Sequence, residues 1–534
     1  MATPLKFLIS DSLSKQGLEI LEKAGFQCIV KTKLPKDELL KEVRDVDGLI
    51  VRSGTKVTAE VIAAAEKLKV IGRAGSGLDN VDSQAATRRG IVVMNTPGGN
   101  TVTTAEHTMS MICSMTRRIP QATASVKAGK WEKEKFMGVE LYNKTLGIVG
   151  VGQIGGYLTK LAQGYSMNIL AYDPYLAPDR AQKMGVEMVE LDELFERADI
   201  ISVHTPLTPE TKSLINSQAI AKMKPGVMIA NCARGGIVNE ADLCEALKTK
   251  RVAAAAFDVF EEEPVKADNP LLALDNFICS PHIGASTTEA QENVAVSIAE
   301  QIVDYFSKGV ARGAVNIPAV PPELLPRLQP YLHLGEKIGM LQAQLYQGGV
   351  ERVTVEYKGE VAALTVTPLT IAVLRGLLTP ILGNDVNYVN APTLARERGI
   401  EVKEVKSADA GDFTSLIRVQ VESGKTSHQV AGTVFNKKDP RIVELDRFKI
   451  EVLPEGHMLL ILNVDRPGVI GAVTSALGTD QINIARMQCA REERGGDALL
   501  IIGLDASMPA PVVERIKSMQ HIRSVKVVDL SSGA

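Results

Sequence analysis

The sequence holds no run of about 18 or more apolar residues, the length a helix needs to cross a bilayer, so no membrane span is expected. Its apolar start is cut short by Asp11 without a small-residue cleavage pattern, so no signal peptide is expected either. Charge is nearly balanced. Sixty Lys and Arg against 63 Asp and Glu leave a net −3, without the clustered basic excess that a nucleic-acid partner requires. Six cysteines occur, at 28, 113, 232, 244, 279 and 489, with neither CxxC nor His-pair spacing. That scatter speaks against a disulfide framework or a metal centre, and for free thiols in the reducing cytoplasm. Aromatics are scarce at 4%, with one Trp, whereas 44 Gly point to alternating strands, tight turns and helices. At roughly 150 residues per domain, a chain of 534 residues makes three or four domains, ample to bury a core.

Short apolar runs at 7–9, 49–51, 70–72 and 91–94 alternate with helical patterns such as 14–23, which Gly25 closes. Strands separated by helices need crossovers, so a parallel sheet is expected. A second α/β pattern has strand candidates at 145–149, 167–172, 200–203, 227–230, 253–257 and 277–278, the rhythm of a six-stranded doubly wound sheet. A proline-rich joint, 316–322, leads to a helix candidate at 328–346 and an alternating strand at 353–357. This stretch reads as α+β, and no chemical motif stands out between 330 and 450. The end of the chain reads strand 458–462, helix 469–477, strand from 482, strand 498–504, helix 510–519 and strand 525–528. That is βαββαβ, the ferredoxin-like order.

Gly150-Val151-Gly152-Gln153-Ile154-Gly155 matches G-x-G-x-x-G between an apolar strand and a helical stretch. The first glycine permits the tight turn, the second lets backbone approach a pyrophosphate, and the third lets helix and strand pack closely. Asp173 follows 23 residues after Gly150, where a carboxylate accepts from both ribose hydroxyls and repels a 2′-phosphate. Pro174 and Tyr175 beside it offer no cation. The expected cofactor is NAD rather than NADP.

Oxidising a 2-hydroxy acid takes a base for the hydroxyl proton, a cation for the carboxylate and forming carbonyl, and a carboxylate to keep a histidine's pKa up. Three segments supply such groups: Arg234-Gly235-Gly236, Asp258 with Glu261-Glu262-Glu263-Pro264, and Ser280-Pro281-His282-Ile283-Gly284. Singly, each has a bland reading: Arg234 as a surface ion-pair partner, Glu263 as part of a solvated acidic run, His282 as a structural histidine.

In this order the segments resemble the signatures of the D-isomer-specific 2-hydroxyacid dehydrogenases, from Phe7 to about Ile317. The resemblance implies that Arg234 holds the carboxylate and polarises the carbonyl, that Glu263 pairs with the histidine, and that His282 is the acid/base. It also implies cofactor contacts from Gly150, Gly152, Gln153, Ile154, Gly155, Asp173, Thr205, Cys232, Arg234, Asp258, His282 and Gly284, with His204 as a wall of the adenosine pocket. The implied architecture is a Rossmann-type doubly wound NAD domain at 98–284. With it goes a flavodoxin-like substrate domain split between 1–97 and 285–318, the active site lying between the two.

Arg52-Ser53, the loop Arg73 to Asn80 and the loop Asn95 to Asn100 resemble the substrate loops of the branch that oxidises 3-phosphoglycerate to 3-phosphooxypyruvate, the entry to serine synthesis. The resemblance implies substrate contacts from Arg52, Ser53, Arg73, Ser76, Gly77 and Asn100, with Lys133 as a further cation for the phosphate. Asp465-Arg466-Pro467-Gly468 and Asn483-Ile484 resemble the ACT regulatory domain, here 453–534. There Asp465 and Asn483 would bind serine at a subunit interface. The stretch 319–452 is similar to the intervening α+β domain of long-chain members, and a homotetramer is implied. Alternatives are a dehydrogenase for an unphosphorylated acid such as glycerate or glyoxylate, and an NAD-responsive interaction protein.

Overall fold

The computed structural model describes residues 4–531 except 319, 346, 347, 384 and 425. The first sheet is parallel throughout, ordered Gln27–Val30, Lys6–Ile9, Gly48–Val51, Val70–Arg73, Val92–Asn95. This is the flavodoxin-like order. Alternate residues of its strands enter opposite cores, Leu8, Leu49, Val51 and Ile71 on one face and Phe7, Ile9, Ile50 and Val70 on the other. That burial of both faces explains why the strands read as continuous apolar runs. Gln27–Val30, which the sequence reading passes over despite its short Cys28-Ile29-Val30 run, is the edge strand, with both ends exposed. The helix Thr288–Lys308 returns to this sheet, adding Val294, Ile298, Ala299 and Ile302 to the core around Phe7. Behind it, Gly313 O and the Val315 N–H hydrogen-bond to Asn95 N and Val93 O.

The second sheet runs Phe277–Cys279, Val252–Phe257, Val227–Asn231, Ile200–Val203, Thr145–Val149, Asn168–Tyr172, Glu187–Met188. It has seven strands, not the six expected. Glu187–Met188 is two residues long and only partly buried, too short to leave an apolar run. Strand order reverses between Thr145–Val149 and Ile200–Val203, and the crevice at such a switch point is where α/β sheets bind ligands.

Beyond the joint, the helix Leu325–Leu345 takes the place of the 328–346 candidate, whose last residue, Tyr346, lies outside the described residues. It crosses Thr367–Leu382 closely. A Cβ on Gly339 would lie 2.1 Å from Val373 O, and one on Gly376 2.0 Å from Glu336 O. These helices cover a six-stranded mixed sheet from Arg352 to Val452. The last sheet is ordered Ile484–Arg491, Asp497–Leu504, His457–Val464, Ile522–Asp529, with helices Val469–Thr479 and Ala510–Lys517 packed into one core, the ferredoxin-like arrangement. Its second strand starts at Ile484, so Ile482 and Asn483 precede it. Its other face joins the preceding domain's core through Met458, Leu460, Leu499, Ile501 and Val528, and Lys337 Nζ donates to Leu530 O at 2.6 Å. Among the described residues, no helix is long and apolar enough to cross a membrane.

Candidate active site

At the switch point the strand Thr145–Val149 ends in Gly150, whose φ of +93° is left-handed and whose N–H donates to Tyr172 O at 2.9 Å. The helix Gln153–Gly164 follows, with Gly152 as its N-cap. A Cβ on Gly155 would lie 2.2 Å from Gly150 O, whereas one on Gly152 would meet nothing. The third glycine therefore packs, and the second leaves open the side from which a phosphate reaches the helix N-terminus. Asp173 Oδ2 accepts from Val151 N at 2.8 Å and Oδ1 from Tyr175 N at 2.9 Å, which sets the carboxylate against the loop. Gln153 Oε1 accepts from Thr101 Oγ1 at 3.1 Å, tying the loop to the helix Thr101–Arg117.

Between the two parallel sheets lies a cleft of about 290 Å³. Arg52, Ser53, Arg73, Ser76 and Gly77 line it from the first, Ile154, Thr205, Cys232, Arg234, Asp258, His282 and Gly284 from the second, and Asn100 at the crossing. Of the expected site residues, Gly150, Gly152, Gln153, Gly155 and Asp173 form the loop beside it, and Glu263 stands behind His282. Lys133 is not on its wall. Larger hollows, about 740 Å³ beside Arg396 and about 850 Å³ around His457, have no comparable convergence of cations with a histidine–carboxylate pair.

His282 Nδ1 donates to Glu263 Oε2 at 2.6 Å, and Glu263 Oε1 accepts from Phe260 N at 3.0 Å. With its proton on Nδ1, the imidazole leaves Nε2 to take or give a proton. The hydrogen bond that His282 donates to Glu263 raises the His282 pKa above its ordinary value against the opposing effect of burial. Burial works against charge on Glu263 too, but His282 and the Phe260 N–H outweigh it and hold its pKa low. Within the acidic triplet, Glu261 engages Glu240 N and Glu262 pairs with Lys266, leaving Glu263 on the histidine.

Three guanidinium groups meet in the cleft. Arg234 Nε donates to Asp79 Oδ2 at 3.0 Å and Nη1 to Ala233 O at 2.6 Å. A Cβ on Gly77 would lie 2.2 Å from Arg234 Nη2, so a side chain there would displace the guanidinium from this position. Arg52 Nη1 donates to Ser12 Oγ at 3.1 Å. Arg73 Nε is buried without a hydrogen-bond partner. Burial first, then the neighbouring Arg234, push its pKa down to about 10. It stays cationic at neutral pH, and an anionic ligand would relieve its isolation. Ser76 Oγ donates to Asn100 Oδ1 at 2.6 Å.

Several expected cofactor contacts are occupied within the chain. The Gly284 N–H, expected to face the cofactor, donates to Asp258 Oδ2 at 2.7 Å. Asp258 is 1% exposed and also accepts from Ser280 Oγ and Ile283 N, because a buried carboxylate must gather donors. The Cys232 thiol is pushed up to about 12, by burial first and then by Asp258, so it is a neutral wall. Burial takes His204 down to about 4, and its Nε2 lies 2.9 Å from Ser202 Oγ, so it is a neutral wall as well. Thr205 Oγ1 is buried without a partner and would welcome a ligand's polar atom. Asp79 lies in the loop singled out above but is given no role there, and nothing in the local pattern marks His107; the fold brings both to the site.

Asp465 and Asn483 do not share a pocket in one chain. Asp465 Oδ2 accepts from Arg491 Nη1 at 3.0 Å and Gly495 N at 3.1 Å, at the end where Val464 pairs Asp497. Asn483 Nδ2 donates to Asp505 Oδ2 at 2.6 Å, just before Ile484 pairs Leu504. Seven steps along a strand separate the two ends, roughly 23 Å. The crossover helix Val469–Thr479 carries the chain back along the sheet before Ile484–Arg491 begins, parallel to His457–Val464 but with Asp497–Leu504 between them, which forces this separation.

Three family profiles match the chain: "D-isomer specific 2-hydroxyacid dehydrogenase, NAD binding domain" at 109–284, "D-3-phosphoglycerate dehydrogenase intervening domain" at 327–446 and "ACT domain" at 457–520. The chain is 46% identical to D-3-phosphoglycerate dehydrogenase of Methanocaldococcus jannaschii, over 98% of its own length and 100% of the relative's. It is 44% identical to the Synechocystis enzyme of the same name, over 99% and 95%. An NAD+-bound 3-phosphoglycerate dehydrogenase structure from Entamoeba histolytica is similar with a TM-score of 0.50 and 33% identity, covering 60% of this chain and 100% of that one.

Proposed function

The chain belongs to the D-3-phosphoglycerate dehydrogenases, within the D-isomer-specific 2-hydroxyacid dehydrogenase family, and we infer that its central cleft performs the NAD-dependent oxidation of D-3-phosphoglycerate to 3-phosphooxypyruvate, the first step of serine synthesis. The observation that carries the assignment of roles is the 2.6 Å His282–Glu263 contact in a cleft that also holds Arg234, Arg73 and Arg52.

The residues present fit NAD. Gly152 leaves the helix N-terminus open, Asp173 sits where the ribose hydroxyls would come, and Thr205 Oγ1 is an orphaned hydroxyl. Bound NAD supplies the hydride acceptor. Arg234 holds the substrate carboxylate and draws electron density toward the forming carbonyl. His282 Nε2 takes the C2 hydroxyl proton as the hydride leaves, and Glu263 stabilises the resulting imidazolium. The N–H groups of Ser76 and Gly77 support the carboxylate, and Arg73 and Arg52 meet the phosphate. Rates with NAD on 3-phosphoglycerate, glycerate and lactate, for wild type and His282→Ala, test this reading. A preference for a plain acid, or near-wild-type rates for His282→Ala, would refute it.

The domains divide at 1–97 with 285–318, 98–284, 319–452 and 453–534. A homotetramer accords with the exposed apolar side chains between 119 and 142, Trp131 (84% exposed) and Met137 (82%) foremost, which a second copy would cover. Light scattering on purified protein reads the mass. Serine would bind between two ACT domains, with Asp465 from one copy and Asn483 from the other, since one chain keeps them apart. The six free cysteines accord with a cytoplasmic location.

A further inference from the structure

We propose that His107 is a positioning residue for His282, acting through Ser280 and Asp258. The proposal rests on the assignment of His282 as the acid/base. His282 is a non-glycine residue at φ +53°, a conformation that persists only where its surroundings hold it. The holding group is Asp258. It grips the loop on both sides of His282, accepting from Ser280 Oγ at 2.6 Å, Ile283 N at 2.9 Å and Gly284 N at 2.7 Å. His107 Nε2 completes the set, 3.1 Å from Ser280 Oγ and 3.3 Å from Asp258 Oδ1. The Ser280 proton is committed to Asp258, so His107 must present Nε2–H, and its donor orients the hydroxyl that orients the loop. The ring also packs against the loop, with its Cδ2 3.7 Å from where a Cβ on Gly284 would stand.

The placement of His107 links this loop to the substrate side. It lies on the helix Thr101–Arg117, whose cap Asn100 accepts from Ser76 Oγ and donates to Thr104 Oγ1 at 3.3 Å. One rigid helix therefore connects the substrate loop at Ser76 to the catalytic loop at Ser280.

The test uses the full-length enzyme with His107→Gln, His107→Asn and His107→Leu. Glutamine places an amide N–H at about the depth of Nε2, asparagine falls one bond short, and leucine fills space without a donor. Misplacing a reacting group by about 1 Å can cost on the order of 10²-fold. The expectation is a kcat loss of about tenfold or more for His107→Leu and His107→Asn with substrate KM within about threefold. His107→Gln should stay within about threefold of wild type in kcat. If His107→Leu does not fold, the Gln–Asn contrast decides. The ¹⁵N NMR titration of the His282 ring is a second readout that needs no substrate. Its midpoint should move in His107→Asn and return in His107→Gln. Equal kcat for Gln and Asn, or an unmoved His282 titration in both, overturns the proposal. A wild type inactive on 3-phosphoglycerate refutes the substrate assignment instead, and leaves the NMR titration to decide on His107.

Discussion

Asp79 Oδ2 and Arg234 Nε lie 3.0 Å apart across 155 positions of chain, the carboxylate on the loop after one sheet and the guanidinium on the turn after the other. The ion pair spans the cleft and turns Arg234 toward Gly77. Asp79 is 69% exposed, so the pair adds little to stability, within about 1 kcal/mol. Its consequence is orientation. Asp79→Ala should lower kcat/KM for 3-phosphoglycerate about tenfold, mainly through KM, with the thermal midpoint unmoved. Arg234→Lys should fail to restore function, since lysine lacks the planar fork. Steady-state kinetics at saturating NAD decides, and unchanged kcat/KM in Asp79→Ala would remove Asp79 from the account.

The raised pKa of His282 dictates a pH dependence. Oxidation needs the neutral imidazole, so kcat/KM in that direction should rise with pH through a midpoint above the ordinary histidine value. The reverse reduction needs the imidazolium and should fall through the same midpoint. Glu263→Gln removes the carboxylate that favours the charged ring and leaves the burial that opposes it, so the midpoint should drop. Rate profiles measured in both directions check this, and a midpoint equal in wild type and Glu263→Gln would contradict it.

Gly155→Ala places a methyl 2.2 Å from the Gly150 carbonyl. Such overpacking costs about 1–3 kcal/mol. The variant should melt at lower temperature and bind NADH more weakly, since relief of the clash must displace the glycine turn. Calorimetry and NADH fluorescence titration measure the two effects, and wild-type values for both would show that the turn yields freely.

Asp173 does two jobs: it faces the expected ribose site, and it ties Val151 N at 2.8 Å. Asp173→Ala should therefore raise the NADP-to-NAD ratio of kcat/KM while lowering kcat/KM for NAD itself. A ratio that stays constant would place cofactor choice elsewhere.

Serine should slow the wild-type enzyme at millimolar concentration, and Asp465→Ala should weaken that response without changing the uninhibited rate. Because Asp465 and Asn483 sit at opposite ends of one sheet, mixing the Asp465→Ala and Asn483→Ala proteins should regenerate intact sites in part. Serine titrations of each variant and of the mixture test the two-copy arrangement, and full inhibition of both variants would dismiss it.

The most legible features were those whose physics is local. A strand, three spaced glycines and a helix at 145–164 form a unit whose geometry follows from backbone sterics, so Gly150, Gly152 and Gly155 could be read directly. Arg234, Asp258 and Ser280 each stand just after an apolar run, where a buried parallel strand ends and ligands bind. Among the elements that escaped are the two-residue strand Glu187–Met188, too short to leave an apolar run, and the edge strand Gln27–Val30, whose three-residue run Cys28-Ile29-Val30 was passed over. The polar partners escaped too. Gly284 N–H bonds Asp258 rather than facing outward, a choice set by the need of a buried carboxylate for donors.

Motif order, through the resemblance it carries, was enough for the family and the cofactor, and it singled out Arg234, Glu263 and His282 as the proposed cation, carboxylate and acid/base. Which atoms meet is a different kind of fact. Asp79 on Arg234, His107 behind Ser280, and the separation of Asp465 from Asn483 all follow from crossovers and packing that bring distant segments together or hold near ones apart. No local pattern encodes those distances, since they are settled when the cores on both faces of each sheet close.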